Sequence, residues 1–275
     1  MGSAFAFPAA DAGTRVRLVG THLDDEWIRA VRETGRHPKL GTPFPDGVVP
    51  YLNDELEAAL GEDISMIVLG VSSPGVTWAV ERLLEHRRRL PRKLTIMMLT
   101  KGLTAGGDGI GVLPDAVAES FSRAGFSDVS VGGVGGPCIA SELANRRDSG
   151  VVFAARGPEL LKTAMAATAC SYYHVTGSSD VIGVEACAAF KNFYAIGVGF
   201  AGAAPDQPGA YNPAAALFTQ AVREMAYLIG EIGGGIESVN GLPGTGDLYV
   251  TCQAGRNSRM GRLLGSGITY REARR

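Results

Sequence analysis

The sequence is short of the residues that hold metals, disulfides and membranes. Its four cysteines, Cys138, Cys170, Cys187 and Cys252, are widely spaced among 275 residues and form no Cys-x-x-Cys pair. Neither a zinc site nor a disulfide framework is expected, and reduced thiols point to a cytoplasmic protein. The four histidines, His22, His37, His86 and His174, show no ligand spacing, so no metal is expected. Charge is nearly balanced, with a formal net charge of -2, which gives no electrostatic argument for a nucleic-acid or membrane partner. The one basic run, from His86 to Lys93, is broken by Pro91 and reads as a solvated helix end and loop. No signal peptide and no uncharged apolar run of about 18 residues is present, so neither secretion nor a membrane span is expected.

What is abundant is apolar surface, 45% of the residues, together with 38 glycines. That is enough for a sizeable core divided between two domains, expected at 1–177 and 178–275. Met1 to Gly13 reads as the body of a small-residue helix and Arg15 to Gly20 as a strand. A helix feeding a strand is the second half of a βαβ unit, so a strand and turn are expected ahead of residue 1. The dinucleotide fingerprint G-x-G-x-x-G would then survive only as its last glycine, Gly2. A plain N-terminal helix capping an α/β domain is the alternative. After Gly20, Thr21 and His22 stand where an acid would bind the adenosine ribose, and Asp24, Asp25 and Glu26 follow, so NAD and NADP both stay open.

Met66–Val71 is a continuous apolar run of the kind buried on both faces of a parallel sheet, followed by a turn at Ser72–Gly75 and a helix to about Arg88. Leu94–Thr100 repeats the pattern and ends in Lys101-Gly102, at the carboxyl end of a strand, where open α/β sheets bind ligands. Lys101 is therefore a candidate cation, or else an exposed loop lysine. A helix over 114–124 leads to a strand at Val129–Val131 and a glycine run up to Cys138, which is either a close backbone approach to a ligand or a flexible turn. A short helix over 139–145 and a strand at Val151–Ala154 complete the alternation of a doubly wound domain.

From Val184 onward the pattern is mainly helical. A small, apolar helix runs through Lys191, a loop spans 202–209, and Asn212-Pro213 opens a further helix to about Gly230, with Asn212 as N-cap. The stretch Gly241–Met260 then combines a glycine-rich turn, Asp247 and Thr251 on a short apolar segment, and Arg256, Asn257 and Arg259 beside Gly255. A guanidinium binds phosphate or carboxylate as a bidentate fork, and Asn257 can donate as well. Asp247 calls for a cation, for which Lys191 is the candidate; in its apolar surround desolvation would lower the pKa of Lys191 and suit it to proton transfer. Taken singly, Arg256–Arg259 also fits a solvated helix end, and Lys191 a snorkelling lysine.

Taken together, Met1–Ala4, Thr100–Gly102, Gly136-Pro137, Val184-Glu185, Phe190–Asn192, Gly244–Asp247 and Arg256-Asn257 resemble the NAD(P)-dependent glycerol-3-phosphate dehydrogenases of the bacterial type. The resemblance implies a Rossmann-like, doubly wound parallel sheet lacking its first strand, followed by an all-α domain. It also implies NAD or NADP as cofactor, a small phosphorylated substrate, a homodimer, and a place in glycerol-3-phosphate and phospholipid metabolism. Lys191 would be the proton acceptor, oriented and tuned by Asp247. Lys101, Gly136, Cys138, Asn192, Thr251, Gly255, Arg256 and Asn257 would line the substrate, and Met1, Gly2, Thr21, Lys101, Ala140 and Arg256 the cofactor. Cys138 and Gly255 stand where the family has serine, and the chain stops at Arg275 where the family continues, so incompleteness at both ends is expected. The alternatives are a superfamily dehydrogenase acting on a carboxylate, of the β-hydroxyacid or ketopantoate reductase type, or an inactive homologue.

Overall fold

The computed structural model describes residues 1–106, 109–203 and 211–274. The loop expected over 202–209 and the terminal Arg275 lie largely or wholly outside them. Two compact units emerge: 1–101, 113–134 and 138–179 in the first, and 102–112, 135–137 and 180–275 in the second.

The first unit alternates helices and strands: α1 (Gly2–Asp11), β1 (Val16–Val19), α2 (Asp25–Thr34), β2 (Val48–Tyr51), α3 (Leu56–Ala59), β3 (Ile67–Leu69), α4 (Val76–Glu85) and β4 (Lys93–Met98). A hairpin of β5 (Leu103–Gly106) and β6 (Gly109–Val112), which belongs to the second unit, interrupts the series. It resumes with α5 (Leu113–Arg123), β7 (Asp128–Gly135), α6 (Ala140–Ala144), β8 (Ser149–Ala155), α7 (Pro158–Thr168) and β9 (Tyr173–Ser178). Strands β3-β4-β7-β8-β9 form one sheet, in which β3/β4, β4/β7 and β8/β9 pair in parallel, while β1 and β2 form a separate parallel pair. This is the Rossmann-like architecture expected of the sequence, with the sheet broken between β1 and β3.

The burial of the strands follows the break. Lys93–Met98 is buried after its first residue, and β8 is buried or half-buried throughout, as strands covered on both faces should be. β3, expected to be fully buried, is only half-buried at Ile67 and Val68, and every residue of β1 is half-buried. The physical reason is a cavity of about 1140 Å³ bordered by residues of α1, β1 and β3, which leaves one edge of each strand uncovered. Elsewhere the core is dense: Phe5 meets Tyr173 edge-on at 6.0 Å, beside Met97, Leu143, Val151 and Phe153. Asp11 at the end of α1 accepts from Arg146 at 2.7 Å and from the Tyr172 hydroxyl at 2.6 Å, tying α1 to the loops after α6 and before β9.

The glycines from Gly132 to Gly135, open to a turn reading, lie inside β7. A Cβ at Gly132 would stand 2.6 Å from the Ala154 carbonyl oxygen and 3.0 Å from Leu160, so β7 is bare of side chains there because β8 and α7 crowd it.

The second unit adds α8 (Val181–Ala201), α9 (Tyr211–Glu231), α10 (Ile236–Asn240), α11 (Asp247–Ala254), α12 (Arg256–Gly265) and α13 (Tyr270–Ala273). α9 already includes Tyr211, so Asn212 lies in its first turn instead of capping it. Among the described residues α8 alone is long and apolar enough to cross a membrane, by length and composition. Half of that window is buried, and α8 forms the centre of the unit's core with Met225, Ile229, Val239 and Leu248.

Candidate active site

The start of α8 is fixed by one carboxylate. Asp180 accepts from the Gly183 and Gly235 amides, each at 2.8 Å, and from the Ser238 hydroxyl at 2.6 Å, joining the helix to the turn between α9 and α10. Further along, Glu185 is wholly buried and accepts the Gly102 amide at 3.2 Å, which holds the base of the β5–β6 hairpin to α8. Neither acid was assigned a task by the sequence. An Asp three residues ahead of a helical glycine was the available sign for Asp180.

Small residues bring α12 onto α8. A Cβ at Gly199 would strike the Ser258 backbone, one at Gly261 the Ile196 carbonyl, and one at Gly265 the Phe200 carbonyl. With the two helices brought close at these three glycines, Asn257 in the first turn of α12 reaches Asn192 on α8, donating Nδ2–H to Oδ1 at 2.8 Å. Asn192 in turn donates to the Ala188 carbonyl at 3.2 Å, so both amides are oriented.

One residue before Asn192, Lys191 forms an ion pair with Asp247. The lysine side chain is 13% exposed and the aspartate 4%, so the pair is nearly dry. Asp247 is the first residue of α11, where the helix dipole favours a negative charge. The turn ahead of it, Leu242–Gly246, depends on Gly244, whose missing side chain lets the Val239 backbone close in. Gly136 adopts φ 125°, a conformation suited to glycine, and delivers Pro137 against Gly246. Thr251 donates its hydroxyl to the Asp247 carbonyl at 2.6 Å. Gly255 breaks α11 from α12, and a Cβ there would collide with the Thr251 carbonyl. Arg256, the first residue of α12, is exposed, whereas Arg262 is spent on structure, bonded to Ser258 at 2.7 Å and the Cys252 carbonyl at 3.2 Å.

Burial also settles the thiols of this unit. It pushes Cys187 up to about 12, with Asp180 and Asp247 adding to the effect, and Cys252 up to about 11, so neither is a nucleophile at neutral pH.

The second unit thus assembles Lys191, Asp247, Asn192, Asn257, Thr251, Gly255 and Arg256, with Gly136 beneath the turn. Two family models match the chain, both of NAD-dependent glycerol-3-phosphate dehydrogenase: the N-terminus over residues 1–161 and the C-terminus over 180–275. The chain belongs to the NAD-dependent glycerol-3-phosphate dehydrogenase family. It is 32% identical over 275 residues to the NADP(+)-dependent glycerol-3-phosphate dehydrogenase of Archaeoglobus fulgidus, covering 99% of this chain and 79% of that one. It is 31% identical over 278 residues to a glycerol-3-phosphate dehydrogenase [NAD(P)+] of Coxiella burnetii, covering 99% and 77%. A crystal structure of the glycerol-3-phosphate dehydrogenase from Coxiella burnetii superimposes with a TM-score of 0.82 at 28% identity, covering 99% of this chain and 79% of that one.

The remaining candidates of this glycerol-3-phosphate dehydrogenase homologue lie in the first unit. Gly2 opens α1 against Gly70: a Cβ at Gly70 would stand 2.6 Å from the Gly2 Cα, so helix and strand end meet through bare backbone. Thr21 is held by Asp24, which accepts its amide at 3.0 Å and its hydroxyl at 2.6 Å. The Lys101 carbonyl accepts the Ser73 hydroxyl at 3.2 Å. Cys138 packs on the core beside α6, Ala140 opens that helix and borders the cavity, and Met1 is 46% exposed.

Proposed function

We propose that this chain catalyses the NAD(P)-dependent interconversion of sn-glycerol 3-phosphate and dihydroxyacetone phosphate, with Lys191 as the proton-transfer group. The observation that carries the reading is the nearly dry Lys191–Asp247 pair, one residue from the Asn192–Asn257 pair at the amino end of α12.

The residues of the first unit fit a dinucleotide in part. The ten-residue helix α1 has no side-chain cap on its first turn, and Gly2 at its amino end would bring the first-turn amides to a pyrophosphate. Thr21 at the end of β1 would face the ribose, and its hydroxyl is positioned by Asp24. Met1, Ala140, Lys101 and Arg256 complete the set proposed for the cofactor. A bound nicotinamide supplies the hydride acceptor, or donor in the reverse direction.

The rest of the chemistry belongs to the chain. In oxidation, the neutral Lys191 amine takes the proton from the C2 hydroxyl as the C2 hydrogen leaves with its electron pair. In reduction, the ammonium returns that proton to the developing alkoxide. Asp247 keeps the amine in place through both directions. Arg256 clamps the phosphate as a bidentate fork, with Asn257 and the first amides of α12 beside it. Asn192 and Thr251 orient the hydroxyls, and Gly136, Cys138 and Gly255 are proposed as backbone or small-group contacts to substrate. Lys101 supplies a further cation.

The test is a steady-state assay with both cofactors, on phosphorylated and carboxylated alcohols, comparing the native chain with Lys191→Ala. Turnover of glycerol 3-phosphate should fall by about 10² to 10⁴, with cofactor affinity within about threefold. Retention of more than about a tenth of turnover removes Lys191 from the mechanism, and a preference for the carboxylated substrate removes the substrate assignment.

A further inference from the structure

The corner between α11 and α12 is built around one hydroxyl. Ser258, wholly buried in the first turn of α12, donates to the Cys252 carbonyl at 2.6 Å and accepts from the Arg262 guanidinium at 2.7 Å. A helical serine ordinarily turns its hydroxyl back to the carbonyl four residues earlier in its own helix. Here the acceptor lies six residues earlier, across the break at Gly255, so the bond ties two helices together instead of bending one. Cys252 belongs to the last turn of α11, whose carbonyls lack partners within the helix. Arg262 donates to the same oxygen at 3.2 Å and places a cation at the negative end of the α11 dipole.

Two further contacts stiffen this corner. The Gly255 amide donates to the Thr251 carbonyl at 2.8 Å, and the Ser258 backbone packs so closely on Gly199 of α8 that a Cβ there would strike it. Arg256 and Asn257 are the two residues between Gly255 and Ser258, and the amides of 256–258 open α12 without partners within the helix. The direction in which these side chains and amides point is therefore set by the tie at Ser258.

We infer that Ser258 is a positioning residue: its hydroxyl, held by Arg262, aims Arg256, Asn257 and the first amides of α12 at the phosphate of the substrate. The inference rests on the phosphate clamp proposed above and adds to it what holds the clamp in place. Ser258 touches no substrate, since its hydroxyl is consumed by Cys252 and Arg262. Its loss should weaken recognition of the phosphate and leave proton transfer at Lys191 nearly intact.

Steady-state assays on the native chain and four variants test this, each with glycerol 3-phosphate and with an unphosphorylated alcohol, alongside melting temperatures. Ser258→Ala should raise KM for glycerol 3-phosphate about five- to tenfold, with kcat within about threefold and the unphosphorylated alcohol unaffected, because a misaimed group loses more than its own bond. Arg262→Met should act in the same direction but more weakly, and Arg262→Lys should return KM to within about twofold of the native value, since an ammonium still donates to the Ser258 hydroxyl. A lower melting temperature of Ser258→Ala with KM unchanged makes Ser258 a structural tie only and overturns the inference. Equal losses on both substrates overturn it too, as does an effect of Arg262→Met without one of Ser258→Ala, which assigns the effect to charge. Arg256→Ala separates the inference from the clamp. A large effect there with none at Ser258 overturns the positioning alone, and no effect at either removes the clamp and the positioning with it.

Discussion

Replacing Lys191 with methionine keeps the length and most of the volume of the side chain and removes its charge. Asp247, 4% exposed, then holds a carboxylate without the ammonium that faces it. Breaking one side of a buried pair typically costs about 3–5 kcal/mol. The amino end of α11 limits the loss by about 0.3–1 kcal/mol. Lys191→Met should therefore destabilise the second unit by about 3 kcal/mol at neutral pH. Adding Asp247→Leu should recover most of it, giving a coupling of about 2 kcal/mol or more. Both tryptophans, Trp27 and Trp78, lie in the first unit, so urea unfolding of the second is followed by far-ultraviolet circular dichroism. A coupling below about 0.5 kcal/mol would refute a dry, mutually dependent pair.

Arg256→Ala should raise KM for the phosphorylated substrate by roughly tenfold or more while leaving an unphosphorylated analogue nearly unaffected, since a charge-assisted bond contributes about 1.5–3 kcal/mol; parallel steady-state assays decide. Gly261→Ala forces α12 off the Ile196 carbonyl, and overpacking of about 1–3 kcal/mol should appear as a lower melting temperature by calorimetry. In timed alkylation at about pH 8, the half-buried Cys138 and Cys170 should be labelled well before Cys187 and Cys252, whose thiols burial raises to about 12 and 11.

The alternation of elements was legible because parallel strands write continuous apolar runs, as at β4, and because Gly13 and Gly35 end helices in left-handed turns. The pairing of Lys191 with Asp247 was also legible, because a buried acid requires a cation and few are on offer. Other parts left no such mark. β2 reads Val-Val-Pro-Tyr, too short and proline-interrupted to stand out, and the β5–β6 hairpin is glycine-rich. α2 is amphipathic, but only Ile28 and Val31 are buried, so its apolar stripe is narrow. Gly132 and Gly135 read as loop residues because a sequence shows the absence of a side chain and not the neighbour that excludes it. The role of Glu185 depends on a backbone amide more than eighty positions away, a pairing that no local pattern encodes.

The hairpin held by Glu185 also sets an order of events during synthesis. The ribosome releases β5 and β6 before the first residue of α8 exists, and at about 5–20 residues per second the hairpin waits for seconds. During that interval Leu103, destined for the helical core, has no helix to cover it, while strands β7 to β9 are still emerging. The helical unit therefore cannot mature as a late, self-sufficient appendage. It closes only when its last-made part returns to collect a piece laid down long before, and a chain halted before α8 leaves that piece exposed to proteases and chaperones.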